Sequence, residues 1–201
     1  ATVIPWANLF WVFFREQLWQ PGDTYVLAGD EVVVTKAGKH THGLDRFFSS
    51  LYGKAIPGVS FFALSLVSVQ ERQAYPLSVE QIVRDEAEKM AGKAKAAAKK
   101  KGASNTKGQP GRKKGSKNKN KAVVVLSPEL VRIKKMVSAL LQRIVGCLAL
   151  NYLVMDGHFG NNNAVVMARS CGLHLVSKLR CDSVLLLPYA GAYSGHGPHR
   201  K

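Results

Sequence analysis

Tyr25–Val34 reads YVLAGDEVVV and Leu148–Asp156 reads LALNYLVMD, and an aspartate in each decides how the fold is read. Both stretches are rich in aliphatic and β-branched residues with little polar alternation, the pattern of strands covered on both faces. Asp30 lies inside the first and Asp156 closes the second. A carboxylate in so apolar a setting costs on the order of several kcal/mol to desolvate unless a partner takes up its charge. Two such acids, in a chain with 29 Lys and Arg against 13 Asp and Glu, point to a shared cationic partner, and a divalent metal is the natural candidate. The reading requires the two strands to lie side by side and parallel.

Outward from these strands, Pro5 to Trp19 is predicted helical, with Trp6, Leu9, Phe10, Phe13 and Leu18 near one face and Pro21-Gly22 as the stop. Lys36-Ala37-Gly38-Lys39 turns the chain after the first strand. Further strands are expected at Val59–Gln70 and, shorter, at Gln73–Leu77. Ser78 with Gln81 three residues on has the form of a capping box, predicting a helix through Ile82 and Val83 to about Lys101. Ser127-Pro128-Glu129 is a strong helix start, followed by Leu130, Ile133, Val137, Leu140, Leu141 and Ile144 at helical spacing, with Gly146 as the close. A helix over Gly160–Cys171 ends at Gly172, and strands follow at Leu173–Leu179 and Val184–Leu187. Hairpin-like strands first and a βαβ unit later make a mixed α/β sheet.

Charge is uneven. Between Lys89 and Lys121 there are 13 Lys and Arg and no acid, leaving 16 bases against 13 acids elsewhere. Such a block binds polyanions, nucleic acid above all, or is a solvated linker without a partner. Gly102–Lys121 is of low complexity and expected to be disordered without a ligand. Cys147, Cys171 and Cys181 show no metal-binding spacing, and their odd number argues against a disulfide framework. The apolar runs Val3–Phe14, Ile56–Val69 and Ile144–Met155 are too short and interrupted to span a bilayer, so a cytoplasmic location is expected.

Buried side by side, two carboxylates repel unless a cation lies between them. Mg²⁺ or Mn²⁺ takes oxygen ligands, and two such ions about 4 Å apart can activate a water or a 3′-hydroxyl and stabilise a leaving oxygen. The segments around Asp30 (YVLAGDEVVVTKAGKHTHG) and Asp156 (NYLVMDGHFGNNNAVVMARSCGLHLVSKLRCD) resemble the first two blocks of bacterial insertion-sequence transposases of the DDE type. Lys36-Ala37-Gly38-Lys39 matches the K-x-G-K turn that follows the first acid in that family. The resemblance covers Thr24–Gly43 and Ser127–Tyr189 fairly well, and the rest only in order of elements.

The resemblance implies a ribonuclease-H-like α/β fold: a mixed sheet with flanking helices and a disordered basic insertion. Residues 1–83 and 123–201 would form the two halves of the core, and 84–122 the insertion. It also implies metal-dependent DNA cleavage and strand transfer, with Asp30 and Asp156 as catalytic residues holding Mg²⁺ or Mn²⁺. DNA at the transposon ends and target would be the partner, the complete protein could oligomerise, and binding would place it at the bacterial nucleoid. The family's third acid has no counterpart after Asp182, itself in an expected loop, so the chain reads as the N-terminal part of a catalytic domain, inactive alone. Gln109 to Lys119 resembles an AT-hook with only Arg112 of its core, which favours phosphate contact over base readout. Lys36, Lys39, Arg112, Lys113 and Lys114 are the expected DNA contacts.

Blander roles stand beside these. Asp30 could cap a turn or pair with Lys36, and Asp156-Gly157 could simply start a turn. Glu31 falls on the opposite face from Asp30 and reads as a salt-bridged surface acid. His40, His42 and His158 read as exposed loop histidines. Two rival functions remain at this stage: a non-catalytic nucleic-acid-binding protein, and an inactive remnant of a mobile element.

Overall fold

A computed structural model describes residues 4–38, 40–90 and 124–179. Its centre is the first of the two quoted strands. β1 (Tyr25–Thr35) pairs antiparallel with β3 (Lys54–Ser68) along its whole length. On its other edge it pairs parallel with the short β5 (Tyr152–Met155), over Leu27 to Gly29 only. β6 (His174–Ser177) continues the parallel half beyond β5. β2 (Asp45–Ser49) and β4 (Ala74–Ile82) pair with successive parts of β3. Because Gly58 and Ser60 of β3 also face β1, β2 and β4 lie end to end along the outer edge. The result is a six-stranded mixed sheet with flanking helices, in agreement with the ribonuclease-H-like reading.

Side-chain alternation assigns Tyr25, Leu27 and Gly29 of β1, Phe62, Leu64 and Leu66 of β3, and Leu153 and Met155 of β5 to one face. These residues share a single core with three helices. α1 (Trp6–Phe13) gives Trp11 and, just beyond its end, Phe14; α2 (Pro128–Ile144) gives Leu130, Ile133, Met136, Val137, Leu140 and Ile144; α3 (Asn162–Ser170) gives Ala164, Met167 and Ala168. α2 follows the expected stripe, and Ser127 caps it by accepting from the Leu130 N–H at 3.3 Å. Gly172, with φ of +77°, closes α3 as its position predicts.

Other expectations give way. β1 is not covered on both faces: Val32 and Val34 are exposed, because the core helices all pack against the face of Leu27. In α1 the buried side is Trp11 and Phe14, with Trp6, Leu9 and Phe13 exposed. The segment is apolar all round, so spacing alone could not choose a face, and a π-helical turn over Phe14–Leu18 shifts the register at its end. Ser78 caps no helix. It is buried in β4, opposite Leu64, where the ladder with β3 overrides the local signature. The realised capping box lies later, where Glu88 N–H donates to Asp85 Oδ1 at 2.7 Å and Asp85 N–H to Glu88 Oε2 at 3.2 Å, starting helical residues 86–90. β2 was not anticipated, and β3 begins at Lys54 instead of Val59. The second quoted stretch is strand only over Tyr152–Met155, while Leu148 and Leu150 pack on the core from the preceding loop. The expected strand Val184–Leu187, Asp182, Cys181 and the low-complexity segment lie outside the described residues.

Candidate active site

Register settles where the two acids stand. Gly29 pairs with Met155 as the last rung of the parallel β1–β5 ladder, so Asp30 and Asp156 are the next residues on neighbouring strands and leave the sheet on the same face. Parallel strands lie about 4.8 Å apart, so the two carboxylates occupy adjacent positions. That face is opposite the helical core, and both residues are exposed. Neither acid therefore carries the desolvation cost of a buried carboxylate, and strand topology, not burial, brings them side by side.

Each backbone is held. One Asp30 carboxylate oxygen accepts from the Glu31 N–H at 2.9 Å, and one of Asp156 from the His158 N–H at 3.2 Å. The turn-starting role of Asp156 is thus real, capping the 3-10 turn Gly157–Phe159. Ser177 on β6 donates to the Asp156 carbonyl at 2.6 Å. Gly160 lies so close to the Lys178 carbonyl that a Cβ would come within 2.7 Å, which ties the turn to the end of β6. Phe159 anchors it by packing edge-on against Phe62, with ring centroids 6.5 Å apart. Asp30 follows Gly29, where a Cβ would meet Phe62 at 2.9 Å, so glycine lets β3 side chains close over β1 beside the acid.

Asp30 forms no ion pair with Lys36 among the described residues; six positions along an extended chain separate them by about 20 Å. Glu31 is not a salt-bridged surface acid. It is half-buried on the core face and accepts from the hydroxyl of fully buried Ser60 at 2.6 Å. Lys36, His40 and His42 are exposed, whereas Lys39, Arg112, Lys113 and Lys114 lie outside the described residues. Ser177 and the approach of Glu129 to His158, at 3.7 Å, escaped the sequence reading. Nothing in the sequence marks Ser177 except its place on the strand beside the Asp156 strand.

A family model described as DDE superfamily endonuclease matches residues 2–201. The chain belongs to the DDE superfamily endonucleases. No curated protein and no solved structure matches it. Membership makes it a nuclease-type chain with DNA as the implied substrate, and DDE-type endonucleases generally use divalent metal ions. Among the described residues of this endonuclease no three His, Cys, Asp or Glu side chains cluster closely enough to hold a metal. Two adjacent exposed carboxylates are nonetheless the hard oxygen donors that Mg²⁺ or Mn²⁺ takes, and they leave positions open for water and phosphate. Among the described residues no helix is long and apolar enough to cross a membrane.

Proposed function

We propose that Asp30 and Asp156 are the metal-holding acids of a DNA transposase centre that cleaves a phosphodiester and joins the freed 3′-hydroxyl to a second DNA strand. The observation that carries this reading is the Gly29–Met155 rung, which brings residues 126 positions apart onto one face (156 less 30). Bound divalent ions would supply an activated water or hydroxyl and offset phosphate charge. Both carboxylates keep one oxygen with no donor among the described residues, free for such an ion. Ser177 and the His158 N–H fix the Asp156 backbone and carboxylate, so little order has to be gained when DNA arrives. In cleavage, water attacks phosphorus in line and the 3′-oxygen leaves; in transfer, that hydroxyl attacks the target phosphorus in line and displaces the target strand's own 3′-oxygen. Neither step passes through a covalent bond to the protein.

The basic segment supports DNA as the partner. It leaves the described chain after residue 90 and re-enters at 124. Glu88 before it and Arg132 after it are joined by an ion pair of 2.7 Å. The strand before it, β4, ends at Ile82 toward the end to which β1 runs, since Ile82 faces Ser60 and Ser60 faces Val33. We assign phosphate contacts to Lys36, Lys39, Arg112, Lys113 and Lys114.

Iron-directed cleavage tests the metal site. With Fe²⁺ and ascorbate the chain should be cut near both Asp30 and Asp156, and Asp30→Asn or Asp156→Asn should abolish both cuts. Cutting at one acid that persists without the other would refute a shared site.

A further inference from the structure

Two residues beyond Asp156, a cavity of about 310 Å³ opens between the first turns of α2 and α3. Glu129, His158, Asn162 and Asn163 line it, with the buried side chains of Leu130 and Phe159 beneath them. The two capping side chains at its rim are already committed, Ser127 to the Leu130 N–H and Asn161 to the Ala164 N–H. The lining groups are not. Asn162 and Asn163 make no side-chain hydrogen bond among the described residues, and Glu129 stands 3.7 Å from His158, beyond hydrogen-bond length. The His158 ring meets Phe159 in a T-shaped pair, centroids 5.0 Å apart at 85°, while its side chain remains 68% exposed.

The chemistry of this lining selects its occupant. An imidazole held against one aromatic neighbour and mostly open to solvent is a stacking platform for a flat ring. Glu129 repels a phosphate but accepts hydrogen bonds from an exocyclic amine, and the two free amides can complete the polar edge of a base. The volume is that of a small-molecule site, ample for one base. Resting on the DNA reading above, we propose that this cavity receives an unpaired adenine or cytosine, the bases whose exocyclic amine sits beside a ring-nitrogen acceptor on the pairing edge, from the strand engaged at Asp156. Glu129 selects the amine, the asparagines hold the base edge, and His158 stacks on the ring. The pocket thereby fixes the strand's register against the aspartates.

The test is binding of fluorescently labelled oligo(dA), oligo(dC) and oligo(dT) of equal length to the purified protein in EDTA. Oligo(dA) or oligo(dC) should bind about tenfold more tightly than oligo(dT), which lacks the amine, and which of the two leads identifies the base. Glu129→Gln, whose amide can turn either a donor or an acceptor to the base, should collapse the ratio. Asn162→Ala should narrow it, giving a second reading should the first variant fold poorly, and His158→Ala should weaken all three alike. No preference in the parent protein, or a preference that survives both Glu129→Gln and Asn162→Ala, overturns the proposal. Asp30→Asn should leave the ratio unchanged. Loss of iron-directed cutting with the base preference intact therefore counts against the metal site alone, and the reverse pattern against the pocket alone.

Discussion

Replacing Asp30 by asparagine should leave the metal-free protein as stable as before or slightly more stable, while removing its response to manganese. Asparagine is nearly isosteric and keeps an oxygen to accept from the Glu31 N–H, so the side-chain hydrogen bond that Asp30 makes among the described residues survives. The change removes a negative charge from beside Asp156. At a strand spacing of about 4.8 Å, two exposed like charges repel by about 1 kcal/mol in a water-like dielectric, less once salt screens them. That is the upper limit of the stabilisation expected without metal. With metal the sign reverses: an ion bound only by the native state at a hundred times its Kd stabilises the parent by about 2.7 kcal/mol. For a chain of 201 residues this corresponds to a rise in Tm of about 5–10 °C. Urea and thermal unfolding of parent, Asp30→Asn and Asp156→Asn, each in EDTA and in Mn²⁺, give both quantities. The reasoning fails if Asp30→Asn loses more than about 1 kcal/mol in EDTA, since the carboxylate would then be a structural group. It fails equally if the variant keeps the parent's manganese shift.

Three further outcomes follow from the same geometry. Ser177→Ala deletes the 2.6 Å bond to the Asp156 carbonyl and should cost about 1 kcal/mol in urea unfolding, with a smaller Mn²⁺ shift than the parent's. Gly29→Val drives side-chain atoms into Phe62 and Leu64, which a Cβ alone would meet at 2.9 and 3.4 Å, and should cost about 1–3 kcal/mol by overpacking, measured the same way. Tyr25→Phe bears on alkaline stability. Burial, the largest effect, raises the Tyr25 hydroxyl pKa above its ordinary value, so the unfolded chain releases this proton first as pH rises. The contribution is therefore complete below a pH of about 10 and lost as pH climbs through the folded-state value; the phenylalanine variant should show a shallower alkaline decline in denaturation midpoint.

The long elements were legible because one signal dominated each. Ser127-Pro128-Glu129 with the Leu130-to-Ile144 stripe leaves no alternative to a capped amphipathic helix, and Gly172 has its closing role written in its position. Legibility failed where two signals competed. Ser78 and Gln81 satisfy a capping template, yet the same residues complete a ladder with β3, and pairing along a long strand outweighs one local cap. In α1 nearly every side is apolar, so the choice of Trp11 and Phe14 for the interior depends on what Phe14 meets, Tyr25 and Tyr75, with Trp11 stacked on Phe14, and that is tertiary information. At the site, the adjacency of Asp30 and Asp156 followed from requiring their strands to pair in parallel. Their exposure did not, because it depends on which face the helices cover. Glu129 and His158 each had a sufficient local explanation, a helix-start acid and a turn histidine, and nothing linear connects them.

The exposure of the acids changes the electrostatic argument and makes it stronger for a DNA substrate. Acids buried between two layers could be reached by a small molecule, but a duplex cannot enter a sheet. Asp30 stands where β1, in the direction it runs, passes the last rung with β5 at Met155 while its ladder with β3 continues to Thr35. Among the described residues no strand pairs with β1 on that side there, and the chain leaving β5 turns away through Gly157 to Phe159. Two negative charges there repel a phosphodiester, so by themselves they would make a poor DNA surface. Productive approach then requires positive charge of two kinds: a cation between the carboxylates and the backbone, and a longer-range field that brings the polyanion in. On the proposed reading the 13 Lys and Arg of residues 89–121, a segment flanked by the ion-paired Glu88 and Arg132, would supply the second. For the first, a divalent ion held between the proposed acids is the candidate: among the described residues neither acid has a Lys, Arg or His ion-pair partner.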